Sequence, residues 1–465
     1  MTQSTRDTVG IASQVVELVR AANPAAEAEV VVDTSDSALT RFANSFIHQN
    51  VAESSVSVRL RLHADGRTAA GSSTIVDSEG LRGLVERTMA AAALCPPDPQ
   101  WPGLTAPSDV PDGVPVDEAT ANADPAARAE RVRLFVAAAG GLETAGYCST
   151  NTWSTAFANS AGQRAVSRSA HASMDAIARD GKADGVTRLS SGRLSDLDGG
   201  RLGERAAAKA RASVSPRELP PGRYEVVFEP TAVFDVMHNM ALFGFNGKAI
   251  AEQRSFVEPG VAQFDPSVYL IDDPIGPGAM GLPFDVEGTP KRLMAFIDAG
   301  VSTGGAHDRR SAALAGTTST GHALPGGASW GAIPMNLHLL PATSDGPPVT
   351  EVDGPPADSS VSALVSQVSR GLLVSDLWYT RVLDPRTLVV TGLTRNGVWL
   401  IEDGVITAPV QNMRFTQSYP QALAPGGVLG IGTHSVATPG GWDIMTYRAP
   451  ALHLASWNFT GNASG

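Results

Sequence analysis

The chain is short of cysteine, of aromatic residues and of clustered positive charge, and each shortage closes off a class of protein. Two cysteines, Cys95 and Cys148, occur in 465 residues, and neither belongs to a Cys-x-x-Cys pair. A disulfide framework is excluded, and both thiols read as buried groups in a reducing compartment. No Lys/Arg-rich run appears and the net charge is −12, so binding to nucleic acid or to an anionic membrane is not expected. No apolar stretch nears bilayer length; segments such as Met89–Cys95 are far too short. Residues Met1–Asp7 lead into an amphipathic helix rather than a signal-peptide core, so the expected location is cytoplasmic. Aromatics make up only 6% while Ala and Gly are abundant, which predicts close, Ala-lined helix contacts.

What is present suits a soluble globular protein: 43% hydrophobic and 18% charged residues. The length calls for two or three domains. The first half repeats itself. Phe42-Ala43-Asn44-Ser45 recurs as Phe157-Ala158-Asn159-Ser160, and the turn Asp65-Gly66 recurs as Asp180-Gly181, both at an offset of 115 residues. Glu86-Arg87 recurs as Glu204-Arg205. Three ordered matches at nearly one offset mark an internal duplication.

Copy one reads as a helix over 8–22, with strands near 27–33, 38–42, 46–50 and 54–63. The last alternates Val56, Val58, Leu60 and Leu62 with Ser57, Arg59, Arg61 and His63, as a strand with one wet face does. A helix from Ser78 buries Leu81, Leu84, Val85, Thr88 and Met89. Copy two starts with Asp124 as N-cap and Pro125 at the first helical position. Strands near 144–152, 154–158 and 164–177 follow, then an Ala-rich helix over 197–212. Residues 96–124 between the copies, rich in Pro, Asp and Ala, read as a linker.

After the Pro-rich segment 216–222 the pattern changes. A strand at Arg223–Phe228 precedes a helix from Pro230 with Val233, Val236/Met237, Met240 and Phe243/Gly244 as its stripe. Beyond Gly247 the chain turns β-rich, with one more helix over 360–370, capped by Asp358 or Ser359 and ended by Gly371. The sequence thus predicts an α+β fold. Residues 1–215 form an N-terminal domain made of a duplicated helix–antiparallel strands–helix unit, with copies at about 7–95 and 124–213. Residues 222–465 form a β-rich, sandwich- or barrel-like domain with a few helices.

Five short segments of the second half carry a family likeness: Gly244-Phe-Asn-Gly247 with Arg254-Ser-Phe256, Leu270-Ile-Asp-Asp-Pro274, Phe284-Asp-Val-Glu-Gly-Thr-Pro290, Ser319-Thr-Gly-His-Ala323 and Met335-Asn-Leu337. In order and spacing they resemble the TldD/PmbA family (peptidase U62, or "modulator of DNA gyrase"), and more closely its PmbA, or TldE, branch. That family's TldD-type subunit carries His-Glu-x-x-x-His and a downstream Cys as zinc ligands, with the Glu activating water. Carried over, the first His matches His238, the Glu falls on Asn239 and the second His on Phe243. No Cys follows, since Cys148 is the last. Asn239 has no titratable acceptor for a general base, and Phe243 binds no metal. Zinc needs three or four ligands, so no metal and no catalytic residue is expected in this chain.

The resemblance implies a two-subunit peptidase. A TldD-like partner holds the zinc, and this chain completes a dimer that encloses a passage for unfolded or leader peptides, degrading or processing them. An extended peptide could be held by adding a strand to a sheet edge. Two rival readings stand beside it: a peptidase in its own right with a remodelled site, and a homodimer that holds peptides without cleaving them.

Other motifs are weaker. Gly327-Ala-Ser-Trp-Gly331 matches a nucleophile elbow, but Leu-Pro-Gly before it and Ala-Ile-Pro after it point to a loop. Asp272-Asp273 and Asp285/Glu287 sit beside turn residues and read as turn and capping groups rather than a hard-metal site. Candidate peptide contacts are Ser319, Thr320, Gly321 and His322, where Gly321 would let a main chain approach, and Trp330 on its Gly-rich loop.

Overall fold

The computed structural model describes residues 7–342, 357–440 and 445–463. The first half is a six-stranded antiparallel sheet with helices on one face. Copy one contributes α1 (Thr8–Ala22), β1 (Glu27–Ala43), β2 (Phe46–Ala64), β3 (Arg67–Ser73) and α2 (Ser78–Leu94). After a one-turn helix α3 (Glu118–Ala121), copy two contributes α4 (Pro125–Ala138), β4 (Glu143–Asn159), β5 (Arg164–Asp180), β6 (Ala183–Ser191) and α5 (Gly199–Ala212). The sheet order is β3-β2-β1-β4-β5-β6. The two copies therefore meet through their first strands, paired from Glu29–Asn159 to Phe42–Gly146.

All five of these helices start behind an aspartate whose carboxylate accepts a free N–H of the first turn: Asp7, Asp77, Asp117, Asp124 and Asp198. Each cap contributes about 1 kcal/mol. The Ala- and Gly-rich composition shows in the α4–α5 contact. A Cβ on Gly199 would lie 2.0 Å from the Arg131 carbonyl oxygen, and one on Gly203 2.4 Å from that of Phe135. The backbones touch there, and Ala206, Ala207 and Ala210 continue the stripe.

Two expectations change. The short strands read near 27–33 and 38–42 are one strand, as are those near 46–50 and 54–63, and 144–158 is likewise continuous. Polar Ser35-Asp36-Ser37 looked like a break, but a long partner supplies a ladder on both sides: Asp36 pairs with Ser54 and with Thr152. The face carrying Arg59, Arg61 and His63 is half-buried rather than open to water, because the second half packs on it. The linker is strapped into that seam. Trp101 stacks on His63 at 5.0 Å, and Asp98 pairs with Arg310. Arg61 and Arg309 each bridge Glu29 and Glu287, and both guanidinium groups lie near the Trp101 ring.

The second half begins with β7 (Gly222–Phe228), α6 (Pro230–Asn239), a π turn at Met240–Gly244 and α7 (Gly247–Ala251). A sheet of small strands follows, β8 (Leu270–Asp272), β9 (Met294–Asp298), β10 (Val301–Ser302) and β11 (Leu337–Leu339), interleaved with α8 (Arg309–Ala315) and α9 (Gly327–Trp330). Next come α10 (Ala357–Val365), β12 (Arg370–Asp384), β13 (Val389–Glu402), β14 (Val405–Pro409), β15 (Met413–Ser418), α11 (Tyr419–Ala422), β16 (Val428–Ile431), β17 (Val436–Ala437), β18 (Arg448–Ala449) and β19 (Leu452–Asn462). The order β12-β7-β19-β15-β13, with β13 pairing back to β12, closes a five-stranded ring. Phe228, Phe415 and Tyr419 surround Trp457 in its core.

The expected helix over 360–370 lies earlier. It covers Asp358 and Ser359 instead of being capped by them, and it ends at Val365, since Arg370 already opens β12. Among the described residues no helix is long and apolar enough to cross a membrane. The molecule is α+β, with large antiparallel sheets.

Candidate functional site

Helix α6 stands where the two halves meet. Pro230 occupies its first turn, and Val233, Val236 and Met237 anchor it in the core. Its N-cap, Glu229, is spent elsewhere: the buried carboxylate takes Lys209, Arg205 and the Ser375 hydroxyl. Burial alone would raise its pKa, but Lys209 and Arg205 outweigh that and hold it at about 2.

His238 is half-buried on α6, its ring parallel to Phe234 at 6.0 Å and beside Tyr447. Burial pushes its pKa down. Asn239 is buried, and its amide donates to the Asp235 carbonyl (2.9 Å) and carboxylate (3.2 Å). Phe243 packs against the hydrophobic core. Asp235, which sequence reasoning missed, also accepts from Thr380 (2.7 Å) and Tyr419 (2.8 Å). Burial, with no cation bonded to it among the described residues, pushes that carboxyl up to about 7. The only sequence signal for it was its position four residues before Asn239. Thr380 on β12 and Tyr419 on α11 are distant in sequence and left none.

These donors do not fit zinc. Asn239 has its amide engaged, Phe243 has no donor atom, and the Asp235 carboxylate is filled by three donors. Among the described residues no group of three or more His, Cys, Asp or Glu is placed to hold a metal. Cys148 is buried in the core under α4 and α5, its thiol pushed up to about 12 by burial, and Cys95 is half-buried; both are free.

A groove runs from α6 across the helix-free sheet face. Its first chamber, about 550 Å³, is lined by Asp235 and His238, by Thr380, and by Tyr147, Asp175 and Arg188 of the sheet. Arg188 ties Asp175 (3.1 Å) to Asp376 (2.6 Å) across the seam. The second chamber, about 420 Å³, shares Tyr147 and Thr438–Gly440 with the first and is walled by Ser149, Asn151, His171, Ser173 and Ser190. Met280 links it to a third of about 320 Å³ holding Trp153, Phe284 and Lys291. Arg59, Leu324 and Pro325 link that to a fourth, about 480 Å³, which reaches the sheet's edge strand at Ala69–Ser72.

The segment Ser319–His322 is not on this groove's open wall. Thr320, Gly321 and His322 are buried. His322 Nε2 meets Asp272 at 3.1 Å, and the Thr320 amide donates to the His307 carbonyl. The Ser319 hydroxyl donates to that same carbonyl. His322 thereby braces β8, while Ser319 and Thr320 hold the loop at His307. Trp330 is different: it is 70% exposed on α9, whose carbonyls accept from Lys248. Asp285 plays the expected turn role, accepting from the amides of Glu287, Thr289 and Ala323. Glu287 instead joins the ion-pair ring.

Residues 221–461 match the family model described as the PmbA/TldA metallopeptidase C-terminal domain. The chain belongs to the TldD/PmbA family. Solved structures share the fold of this TldD/PmbA chain from end to end. TldE from Thermococcus kodakarensis is 18% identical, with TM-score 0.84 over 97% of this chain and 100% of its own. A Thermotoga maritima protein described as a candidate modulator of a DNA gyrase is 16% identical, with TM-score 0.81 over 96% and 100%. A Bacteroides thetaiotaomicron protein of like description is 18% identical, with TM-score 0.81 over 98% and 99%. No curated protein matches.

Proposed function

We propose that this chain is the non-catalytic subunit of a TldD/PmbA-type metallopeptidase complex. The observation that carries the reading is the chemistry of α6: at the family's motif positions stand His238, Asn239 and Phe243, with Asn239 already bonded to Asp235. Zinc then belongs to a TldD-like partner, in the cytoplasm, and this chain shapes the way to it. The groove supports that role. It is long, its second chamber is walled mainly by Ser, Thr and Asn, and it ends at the helix where such a partner's chemistry would be met.

The test is metal content of the purified chain by mass spectrometry, with cleavage of an unfolded peptide measured with and without a TldD-like protein bearing the intact motif. Metal-free protein, inactive alone but needed for the partner's full activity, is the expected result. About one zinc per chain, with chelator-sensitive cleavage by this chain alone, would overturn it.

A further inference from the structure

We infer that the second chamber is a subsite for uncharged peptide main chain, with His171 and Thr438 as its readers; this rests on the passage reading above. Both residues line the chamber, and they are only 6% and 4% exposed. Yet His171 Nδ1 and Thr438 Oγ1 have no hydrogen-bond partner among the described residues. Buried polar atoms left unpaired are uncommon and costly, and two of them on one cavity wall point to a ligand that satisfies both.

The roles follow from the neighbours. Asn151 Nδ2 lies 3.3 Å from His171 Nε2 and can only donate, so Nε2 accepts and the neutral ring carries its proton on Nδ1. Burial holds the ring's pKa down to about 4, so it is neutral at physiological pH. The Trp153 ring, 4.8 Å away, fixes its plane. The chamber therefore offers an N–H donor on His171 and a hydroxyl on Thr438. A peptide unit presents one carbonyl and one N–H, which is the complementary pair.

The inner walls are uncharged. Ser149 lies beside the bonded pair Ser173–Ser190 (2.7 Å), while Arg41 and Glu53 are exposed at the rim. A charged side chain entering the chamber would leave water without a counter-charge. The preferred occupant is thus a stretch of small, neutral residues.

The experiment is calorimetric titration of the full chain with two end-blocked unfolded peptides of equal length. One is built from Ala, Ser and Asn, and the other has Asp or Lys in its middle. The neutral peptide should bind, and the charged one about tenfold more weakly. His171→Phe and the near-isosteric Thr438→Val should each weaken the neutral peptide about tenfold, the worth of one lost hydrogen bond. Circular dichroism confirms that both variants fold. Binding should be flat from pH 8 to 6, where His171 stays neutral. Neutral-peptide binding that both variants leave untouched would overturn the subsite while sparing the passage. No binding of either peptide to the unaltered chain would overturn both.

Discussion

Asn239 and Asp235 are joined across one turn of α6 by an amide that reaches both the carbonyl and the carboxylate of the earlier residue. A glutamate at 239 has no N–H to give. It would set a second carboxylate against one that is half-buried and, among the described residues, bonded to no cation. Asn239→Glu should therefore cost about 2–4 kcal/mol at pH 7, with part regained near pH 5 as a proton is shared. Urea unfolding at the two pH values measures it. Equal midpoints for variant and parent at pH 7 would show that the amide bond is incidental.

Glu229 makes stability fall in acid. Its carboxyl titrates near 2 in the fold, against an ordinary 4.5. The folded pKa is depressed, so the contribution is complete above 4.5 and is lost as pH falls toward 2. The full difference is about 3 kcal/mol. Glu229→Gln should be less stable than the parent at pH 6, and the gap should narrow steadily in thermal melts from pH 5 to 2. A gap that stays constant would assign the loss to packing.

Arg309 is 10% exposed and Glu287 3%, and they bond at 3.1 Å inside a ring completed by Arg61 and Glu29. Removing one member strands a buried charge. Arg309→Met should cost about 3–5 kcal/mol, and 0.5 M salt (about a 4 Å screening length) should change little. Strong salt sensitivity of the parent would mean that the ring is open to water.

Gly203 lets α5 lie against the Phe135 carbonyl. Gly203→Val drives a branched side chain into backbone, which cannot yield as a side-chain tip does. A loss of at least about 1–3 kcal/mol is expected, while Gly200→Ala, which meets only the Asp198 carboxylate at 3.3 Å, should be far milder. Comparable melting temperatures for the two variants would contradict the close contact.

Much of the fold was legible because it is written in local code. Asp124-Pro125 caps α4 as read, and the Val56–Leu62 alternation gives a strand with its apolar side on the helices. Strand lengths were not, because a polar run such as Ser35–Ser37 is extended only when long neighbours pair with it. The site was half legible. Spacing placed His238, Asn239 and Phe243 on or just beyond one helix. Nothing local pointed to Asp235's partners on β12 and α11, or to His171 and Thr438 on one cavity wall, since those contacts exist only after the halves dock. The burial of Thr320–His322 was not legible either, because the turn of Gly321 (φ 77) against Pro290 and Lys291 forms only in the fold.

The β1–β4 seam reaches further than packing. A solitary copy of the repeat would leave β1 bare from Glu29 to Phe42, a rail of free amides and carbonyls ready to capture its twin. In this chain the second copy's first strand covers that rail, so the pairing is an internal joint. Each copy then meets the second half through its own charges: Arg61 of the first reaches Glu287, while Arg188 and Arg205 of the second reach Asp376 and Glu229.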